Sequence, residues 1–272
     1  MAIRGLLGFG GGATGLAAYV ADSAEVTGCI FDWDPGRISM SNNAIATDGT
    51  DLAAGLSYTD TAANGSSSGV TITVNGGSFK YKTANGGNFL ADSGNQGRIT
   101  IGNGGSPKSM GGDGGLLDTK SMTIETWMQY NGSGRDVCVS RYGSGYPNQF
   151  NHIFDPGGQF HFNSSGVNLG AGDRDWDAFG DNVWFHCIWL YNIDDGYMRW
   201  YVNNVEKGTE NAGTNSGNGM ETDSNTGWSI ASRADRMEDL EGMIGIVRLY
   251  NKALTTSEIA ARWNATRSRY GL

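Results

Sequence analysis

Hydrophobic and polar residues alternate over much of the chain with the period of two that is typical of β-strands. Residues 70–74 (VTITV) alternate as in a strand with one buried face. Residues 183–191 (VWFHCIWLY) are apolar at nearly every position, which favours a central strand covered on both faces. Asn203 and Asn204 follow another apolar run, and because asparagine tolerates positive φ they predict a hairpin turn. We predict strands at 70–74, 78–82, 98–101, 122–130, 136–140, 151–154, 159–163, 183–191, 197–202, 227–231 and 243–250.

A single helix is predicted near the C-terminal end, over residues 256–270. Thr255 and Glu258 have the spacing of a capping box, in which each side chain accepts a hydrogen bond from the backbone N–H of the other residue. One stripe of this helix is expected to pack on the sheets, and it comprises Ile259, Trp263, Thr266 and Tyr270. The rest of the surface carries cations that suit the negative end of the helix dipole, which are Arg262, Arg267 and Arg269.

Composition narrows the class of protein. Glycine accounts for 44 of the 272 residues, and charged residues make up only 17%, which is unlike a coiled coil. The net charge of −9 opposes binding to phosphates, so we expect no nucleic-acid partner. No apolar run reaches about 18 residues, so we expect no membrane span. Cys29, Cys138 and Cys187 are too scattered for a disulfide framework, and the apolar neighbours of Cys187 predict a buried free thiol.

The first 25 residues differ in composition from the rest of the chain, because they are mostly small and apolar and are rich in glycine. We interpret residues 1–25 as an arm for assembly or anchoring that becomes ordered when it docks to a partner. Its apolar contacts would come from Leu6, Leu7, Phe9 and Leu16. A signal peptide over residues 3–21 is the alternative, since Arg4 precedes an apolar run, but the glycines there weaken a helix.

Several ordered segments carry a resemblance to a known family. Residues 122–127 (MTIETW) and 136–141 (DVCVSR) resemble the first core strands of laminin-G-like, concanavalin A-like jelly rolls. Residues 183–186 (VWFH) resemble the Trp-His-His strand of that family, with Phe185 in place of the first histidine. Residues 242–254 (GMIGIVRLYNKAL) resemble its closing strand. The resemblance implies an all-β sandwich of two antiparallel sheets that spans residues 26–272.

The two ends of the chain carry a second resemblance. Residues 4–15 and 264–272 resemble the termini of tailed-phage structural proteins that have this fold. That resemblance implies a virion location, other virion proteins as partners and a homo-oligomer. A capsid, tail or fibre decoration is then the expected role.

Hydrolysis is the least favoured function, because glucanases of this architecture need paired carboxylates that flank the scissile bond. Residues 238–241 (EDLE) lack the alternation that would place acids on one face of a strand. Residues 244–246 (IGI) stand where the family has Ile-Asp-Glu. The three histidines, His152, His161 and His186, make a weak case for zinc, although the first two fall on neighbouring predicted strands and could pair.

The densest group of candidate ligand residues lies in the predicted loop that precedes residue 182. Its carboxylates are candidate calcium ligands without the EF-hand pattern, and they are Asp173, Asp175, Asp177 and Asp181. A solvated acidic loop is the alternative interpretation. Aromatic residues of this and another loop are candidates for stacking on sugar rings, and they are Trp176, Tyr142 and Tyr146. Contacts with a neighbouring subunit would explain these aromatics equally well. A calcium-dependent adhesin for host surface glycans is therefore the alternative to a purely structural virion protein.

Overall fold

The structure is a computed structural model that describes part of the chain. The described residues are 27–34, 51–52, 57–59, 71–75, 79–82, 88–91, 98–101, 121–130, 136–141, 149–154, 159–164, 167–171, 182–211, 228–232 and 240–272. Their strands are β1 (Cys29–Trp33), β2 (Asp51–Leu52), β3 (Ser57–Thr59), β4 (Thr71–Asn75), β5 (Phe79–Lys82), β6 (Asn88–Ala91), β7 (Arg98–Ile101), β8 (Met122–Tyr130), β9 (Asp136–Arg141), β10 (Gln149–Phe154), β11 (Gln159–Ser164), β12 (Val167–Ala171), β13 (Trp184–Asn192), β14 (Tyr197–Val202), β15 (Val205–Asn211), β16 (Trp228–Ile230) and β17 (Gly242–Tyr250).

These strands form two antiparallel sheets, as expected from the sequence. The main sheet has nine strands in the order β15-β14-β13-β8-β17-β6-β5-β2, with β1 also paired to β17. The second sheet has eight strands in the order β12-β11-β10-β9-β16-β7-β4-β3. The last strand of the chain therefore lies inside the main sheet, between β8 on one side and β6 and β1 on the other.

The centre of the main sheet is buried on both faces. Along β13 every residue from Trp184 to Tyr191 is buried, because β8 and β14 flank the strand and other layers cover it above and below. The hairpin that leads from β14 to β15 turns at Asn203 and Asn204, with φ of 49° and 64°. Both predictions, the central strand and the asparagine turn, are confirmed.

The inner face of the main sheet carries part of the core between the sheets. Cys187 and Thr126 are cross-strand partners on β13 and β8, and both are wholly buried. Burial, and next the neighbouring Cys138 of the second sheet, hold the pKa of the Cys187 thiol well above its ordinary value. Cys187 is thus a buried free thiol, as predicted.

The C-terminal helix covers the outer face of the main sheet. Helix α1 runs over Thr256–Thr266, and a 3-10 turn continues it over Arg267–Tyr270. Both hydrogen bonds of the predicted capping box between Thr255 and Glu258 are present. Ile259 is fully buried, as expected for the stripe that faces the sheet.

One part of the helix prediction is wrong. Arg262 is not a solvated cation near the end of the dipole, because only 2% of the residue is exposed and its guanidinium binds a buried carboxylate. Arg269 likewise binds Asp34 at 2.8 Å, and its side chain is only 9% exposed. The last turn of α1 contains no basic residue. Specific ion pairs, rather than the helix dipole, therefore determine where these arginines lie.

Candidate functional site

All the calcium, sugar-stacking and arm residues predicted from the sequence lie outside the described residues. These are the candidate calcium ligands Asp173, Asp175, Asp177 and Asp181, the candidate sugar-stacking residues Trp176, Tyr142 and Tyr146, and the arm residues Leu6, Leu7, Phe9 and Leu16. Each of these assignments stays a prediction. The boundary between the arm and the jelly roll at residue 25 also lies outside the described part.

The described chain resumes directly after the candidate calcium ligands, at Asn182. The backbone N–H of Asn182 donates to the carbonyl oxygen of Tyr130 at 2.8 Å, and the side-chain amide of Gln129 donates to the carbonyl oxygen of Asn182. Asn182 adopts the left-handed conformation with φ of 61°. These bonds fix the point at which the acidic segment joins the sheet, beside the end of β8.

A cluster of charged and polar side chains is buried where α1 crosses the main sheet. We call it the anchoring cluster, and its members are Asp32, Glu125, His186, Arg248, Tyr250 and Arg262. They come from five elements of the chain, because β1, β8 and β13 supply one residue each, β17 supplies Arg248 and Tyr250, and α1 supplies Arg262. None of these six residues is more than 6% exposed. The cluster is therefore closed to solvent.

Glu125 is the centre of the anchoring cluster. Its Oε1 accepts from Nε2 of His186 at 3.2 Å and from Nη1 of Arg248 at 3.2 Å. Its Oε2 accepts from the hydroxyl of Tyr250 at 2.6 Å and from Nε of Arg262 at 3.1 Å. Both oxygens of the carboxylate are thus engaged by charged or polar donors. No lone pair is directed at an open surface from which a ligand could approach.

Two further ion pairs extend this arrangement toward the first described strand. Nε of Arg248 donates to Asp32 at 2.8 Å, so that arginine links two carboxylates. Beyond it, Nη1 of Arg269 binds both oxygens of Asp34 at 2.8 and 2.9 Å. Ion pairs therefore join β1 and the following Asp34 to β17 and to the 3-10 turn at the C-terminal end.

Aromatic rings close the anchoring cluster on one side. The ring of Trp127 stacks with Trp263 at 5.6 Å and with Tyr270 at 4.1 Å between ring centroids. Its indole N–H donates to the hydroxyl of Thr266 at 2.9 Å. The ring of His186 lies 4.9 Å from Trp127. These contacts hold the second half of the helix and the 3-10 turn against the sheet.

Electrostatics fix the charge states inside the cluster. Burial alone would raise the pKa of Glu125, but Arg262 and Arg248, helped by the hydrogen bond from His186, hold it well below its usual range. Burial lowers the pKa of His186 from its ordinary value of 6.5, and Glu125 only partly opposes that effect. Burial, followed by the charge of Glu125, raises the pKa of Tyr250 well above its usual range. At neutral pH the cluster therefore holds an ionised glutamate beside a neutral imidazole and a neutral phenol.

The arrangement in the cluster is structural, since both carboxylate oxygens of Glu125 are engaged and the cluster is closed to solvent. A general acid needs a pKa near the working pH and contact with a substrate, and Glu125 has neither. Within the described ranges, no group of three or more His, Cys, Asp or Glu side chains could hold a metal ion. In the part of the chain that the structure describes, no helix is long and apolar enough to cross a membrane.

The suggested pairing of His152 with His161 is wrong. Strands β10 and β11 are neighbours, as predicted, but His152 lies opposite Phe160 and His161 lies opposite Asn151. The two histidines are therefore one position out of register. His186, the third histidine, binds Glu125 and is buried in the anchoring cluster.

The anchoring cluster was not predicted from the sequence, although the strands carry a signal for it. Glu125 interrupts the apolar pattern of β8, and Arg248 interrupts that of β17. A charged residue in the middle of a strand that is otherwise buried requires a counter-ion. The two positions are cross-strand partners, so the sequence could have suggested the pair once the strands were aligned.

Comparison with known proteins places this architecture in a family. The model of the concanavalin A-like lectin/glucanases superfamily matches residues 103–260, which is more than half of the chain. The chain belongs to this superfamily. Its jelly roll of two antiparallel sheets, with one C-terminal helix, is the superfamily fold, and the prediction from the laminin-G-like segments is confirmed. No curated protein sequence matches the chain.

Solved structures with this superfamily fold include bacterial toxin domains. The binding domain of botulinum neurotoxin DC in complex with SialylT matches with a TM-score of 0.60 and 14% identity, covering 88% of this chain and 52% of that chain. The same domain in complex with rat synaptotagmin II gives the same TM-score, identity and coverage. The binding domain of botulinum neurotoxin serotype D/C matches with a TM-score of 0.59, 14% identity, and coverage of 88% and 52%. At this identity the likeness shows the fold alone, and the chain spans about half the length of these structures.

Proposed function

We propose that this chain is a non-catalytic structural protein of a virion whose lectin-like jelly roll binds saccharides on a host surface. One observation carries the choice of binding over hydrolysis. The superfamily includes both lectins and glucanases. In this chain the carboxylate at the centre of the main sheet, Glu125, is wholly buried and bound by two arginines. A glycosidase needs a carboxyl group whose raised pKa lets it protonate the leaving group. The pKa of Glu125 is shifted in the opposite direction.

A saccharide is the ligand class that the superfamily and the candidate loops favour together. Trp176, Tyr142 and Tyr146 supply rings of the kind that stack on sugars. The botulinum neurotoxin binding domain, which shares the fold, is described in complex with SialylT, so sialylated glycans are the first probes to test. Neutral glycans belong in the same experiment, because the shared fold does not fix the sugar.

The virion part of the proposal rests on the resemblance of both ends of the chain to tailed-phage structural proteins. In this proposal residues 1–25 dock to other virion proteins through Leu6, Leu7, Phe9 and Leu16, and the chain is a homo-oligomer. Charged residues are depleted at the centres of protein interfaces. Their low share in this chain, 17%, therefore supports a surface that partner proteins partly cover.

The test of saccharide binding is a glycan array probed with the full chain, once with calcium and once with a chelator. We expect binding that Trp176→Ala weakens at least tenfold while the thermal midpoint stays unchanged. Loss of binding with the chelator and in Asp175→Asn, but not in the matched control Asp194→Asn of the exposed β13–β14 turn, would identify the calcium-dependent adhesin instead. No binding by the folded chain to any glycan would overturn the saccharide part. Release of reducing sugar from glucans would overturn the non-catalytic part.

The test of the assembly arm is light scattering on the full chain and on a chain that lacks residues 1–25. We expect only the full chain to form oligomers. If both proteins have the same monomeric mass, the arm has no role in assembly.

A further inference from the structure

The anchoring cluster and the adjacent Asp34–Arg269 pair have a balanced set of charges without His186. Three carboxylates face three guanidinium groups, and they are Asp32, Asp34, Glu125, Arg248, Arg262 and Arg269. A proton on His186 would therefore add a positive charge that has no counter-ion of its own among the described residues. Buried charges are costly unless they are paired, so this position favours the neutral imidazole.

The hydrogen bonds of His186 lead to the same conclusion. The Nε2–H group donates to Glu125 at 3.2 Å, which leaves Nδ1 as the unprotonated nitrogen. Nδ1 is buried and has no hydrogen-bond partner among the described residues. Protonation would turn Nδ1 into a buried donor without an acceptor, which costs free energy in addition to the charge itself.

Every element that packs around His186 contributes to this setting. Glu125 faces it from β8, Arg248 from β17 and Arg262 from α1. Tyr250 of β17 binds the other oxygen of Glu125. Asp32 and Cys29 of β1 lie one step farther out, beside Arg248, and the Asp34–Arg269 pair lies beyond them. Among the described residues, Glu125 alone favours a proton on the imidazole directly, and its carboxylate already binds two arginines.

We propose that His186 makes the docking of the C-terminal helix sensitive to acid, so that α1 and the 3-10 turn lift off the sheet when the imidazole is protonated. The helix is the part that moves, because β13 is held by backbone ladders to β8 and β14 on both sides. In contrast, the described contacts of α1 with the sheet are made by side chains, such as Arg262 and Thr266. This proposal is independent of whether the chain binds a saccharide.

The hinge of this motion is also defined by the structure. The hydroxyl of Thr123 donates to the carbonyl oxygen of Lys252 at 2.7 Å and accepts from the N–H of Leu254 at 3.0 Å. These bonds tie the linker between β17 and α1 to the sheet. The segment that can lift therefore begins after Leu254.

The sign and size of the effect follow from proton linkage. The docked state holds a neutral imidazole, whereas the lifted state exposes it to water, where its ordinary pKa is 6.5. Acid therefore favours the lifted state, and each pH unit below 6.5 raises its population relative to the docked state by up to about tenfold. Between pH 6.5 and 5.0 the upper limit is about thirtyfold. The pKa of Glu125 is held well below its ordinary value of 4.5, so this carboxylate stays ionised in the docked state across the window.

The test is hydrogen exchange measured by mass spectrometry on the full chain at pH 7.5 and 5.0, corrected for the intrinsic exchange rates. We expect exchange in residues 259–270 to accelerate by about ten- to thirtyfold while β8 and β13 keep their protection. In His186→Gln the amide can still donate to Glu125 but does not titrate, so the acceleration should disappear. The matched controls His152→Gln and His161→Gln should keep it.

Two results would overturn the proposal. One is an equal acceleration of exchange in β8, β13 and the helix, which would indicate global unfolding. The other is an unchanged acid response in His186→Gln. If His186→Gln does not fold, nuclear magnetic resonance of the histidine rings in the natural sequence decides. An imidazole of His186 that becomes protonated at or above pH 6.5 while the helix stays docked would refute the proposed linkage.

Discussion

Replacing Glu125 by glutamine removes one charge from the anchoring cluster and nearly preserves the volume of the side chain. Glu125 binds Arg248 and Arg262 at 3.2 and 3.1 Å, and its side chain is 0% exposed. After the substitution Arg248 keeps Asp32 as a counter-ion, but the ion pair of Arg262 with the sheet is lost. Breaking a buried ion pair by neutralising one partner costs about 3–5 kcal/mol. Since a domain is stable by only about 5–15 kcal/mol, Glu125→Gln should remove a large share of the free energy of unfolding.

The assay is urea denaturation followed by circular dichroism, which gives the free energy of unfolding. The matched control is Asp195→Asn, since Asp195 also binds an arginine, Arg199 at 2.7 Å, but the two side chains are 38% and 28% exposed. An exposed pair contributes about 0–1 kcal/mol. Equal losses in the two variants would refute the reasoning, because burial would then make no difference.

Acid provides a second check on the same variant. The pKa of Glu125 is lowered in the folded protein, so its contribution to stability is present above its ordinary pKa of 4.5 and is lost as the pH falls below that value. The difference in unfolding free energy between the natural protein and Glu125→Gln should therefore shrink in acid. A difference that grows below pH 4.5 would contradict this assignment.

Three further variants and one reagent test other parts of the fold. In Gly208→Ala the new Cβ would meet the ring of Trp200 at 1.9 Å, so we expect a loss of about 1–3 kcal/mol by urea denaturation. Gly271→Ala, with φ of 80° and open space around it, should lose only about 1 kcal/mol, and the reverse order would contradict this explanation. Thr255→Ala should cost about 1 kcal/mol in the same assay, and no change would mean that the capping box does not contribute. The thiol of Cys29, whose pKa burial raises to about 12, should react with iodoacetamide at pH 8 far more slowly than free cysteine, and equal rates would show that it is accessible.

The sequence predicted the centre of the main sheet well, because there the local pattern and the tertiary environment agree. Strands β8 and β14 begin and end at the predicted residues, β13 is shifted by one residue at both ends, and β17 begins one residue earlier than predicted. Each is rich in apolar residues and buried along most of its length. The sequence did not predict β15 (VEKGTEN), which is mostly exposed and forms because β14 offers it a backbone ladder. No local alternation marks such an edge strand.

The anchoring cluster was beyond the reach of local patterns for a different reason. Arg262 lies three residues after Ile259, so it shares the face that packs on the sheet, but helical periodicity alone favours placing an arginine in solvent. Its counter-ion, Glu125, is 137 residues away in the chain. Only the three-dimensional arrangement of β8 and α1 shows that the charge can be buried.

The pairing of β1 with β17 has a consequence for how the chain is made. Asp32 on β1 binds Arg248 on β17, which lies 216 residues later. At about 5–20 residues per second, a ribosome needs about 10–40 s to synthesise that interval. Throughout that time β1 has no β17 to pair with, and β8, once it has been synthesised, also lacks β17 as a neighbour. Chaperones that bind nascent chains can act during this interval. Slower translation would lengthen the time for which the unpaired strands are exposed to aggregation.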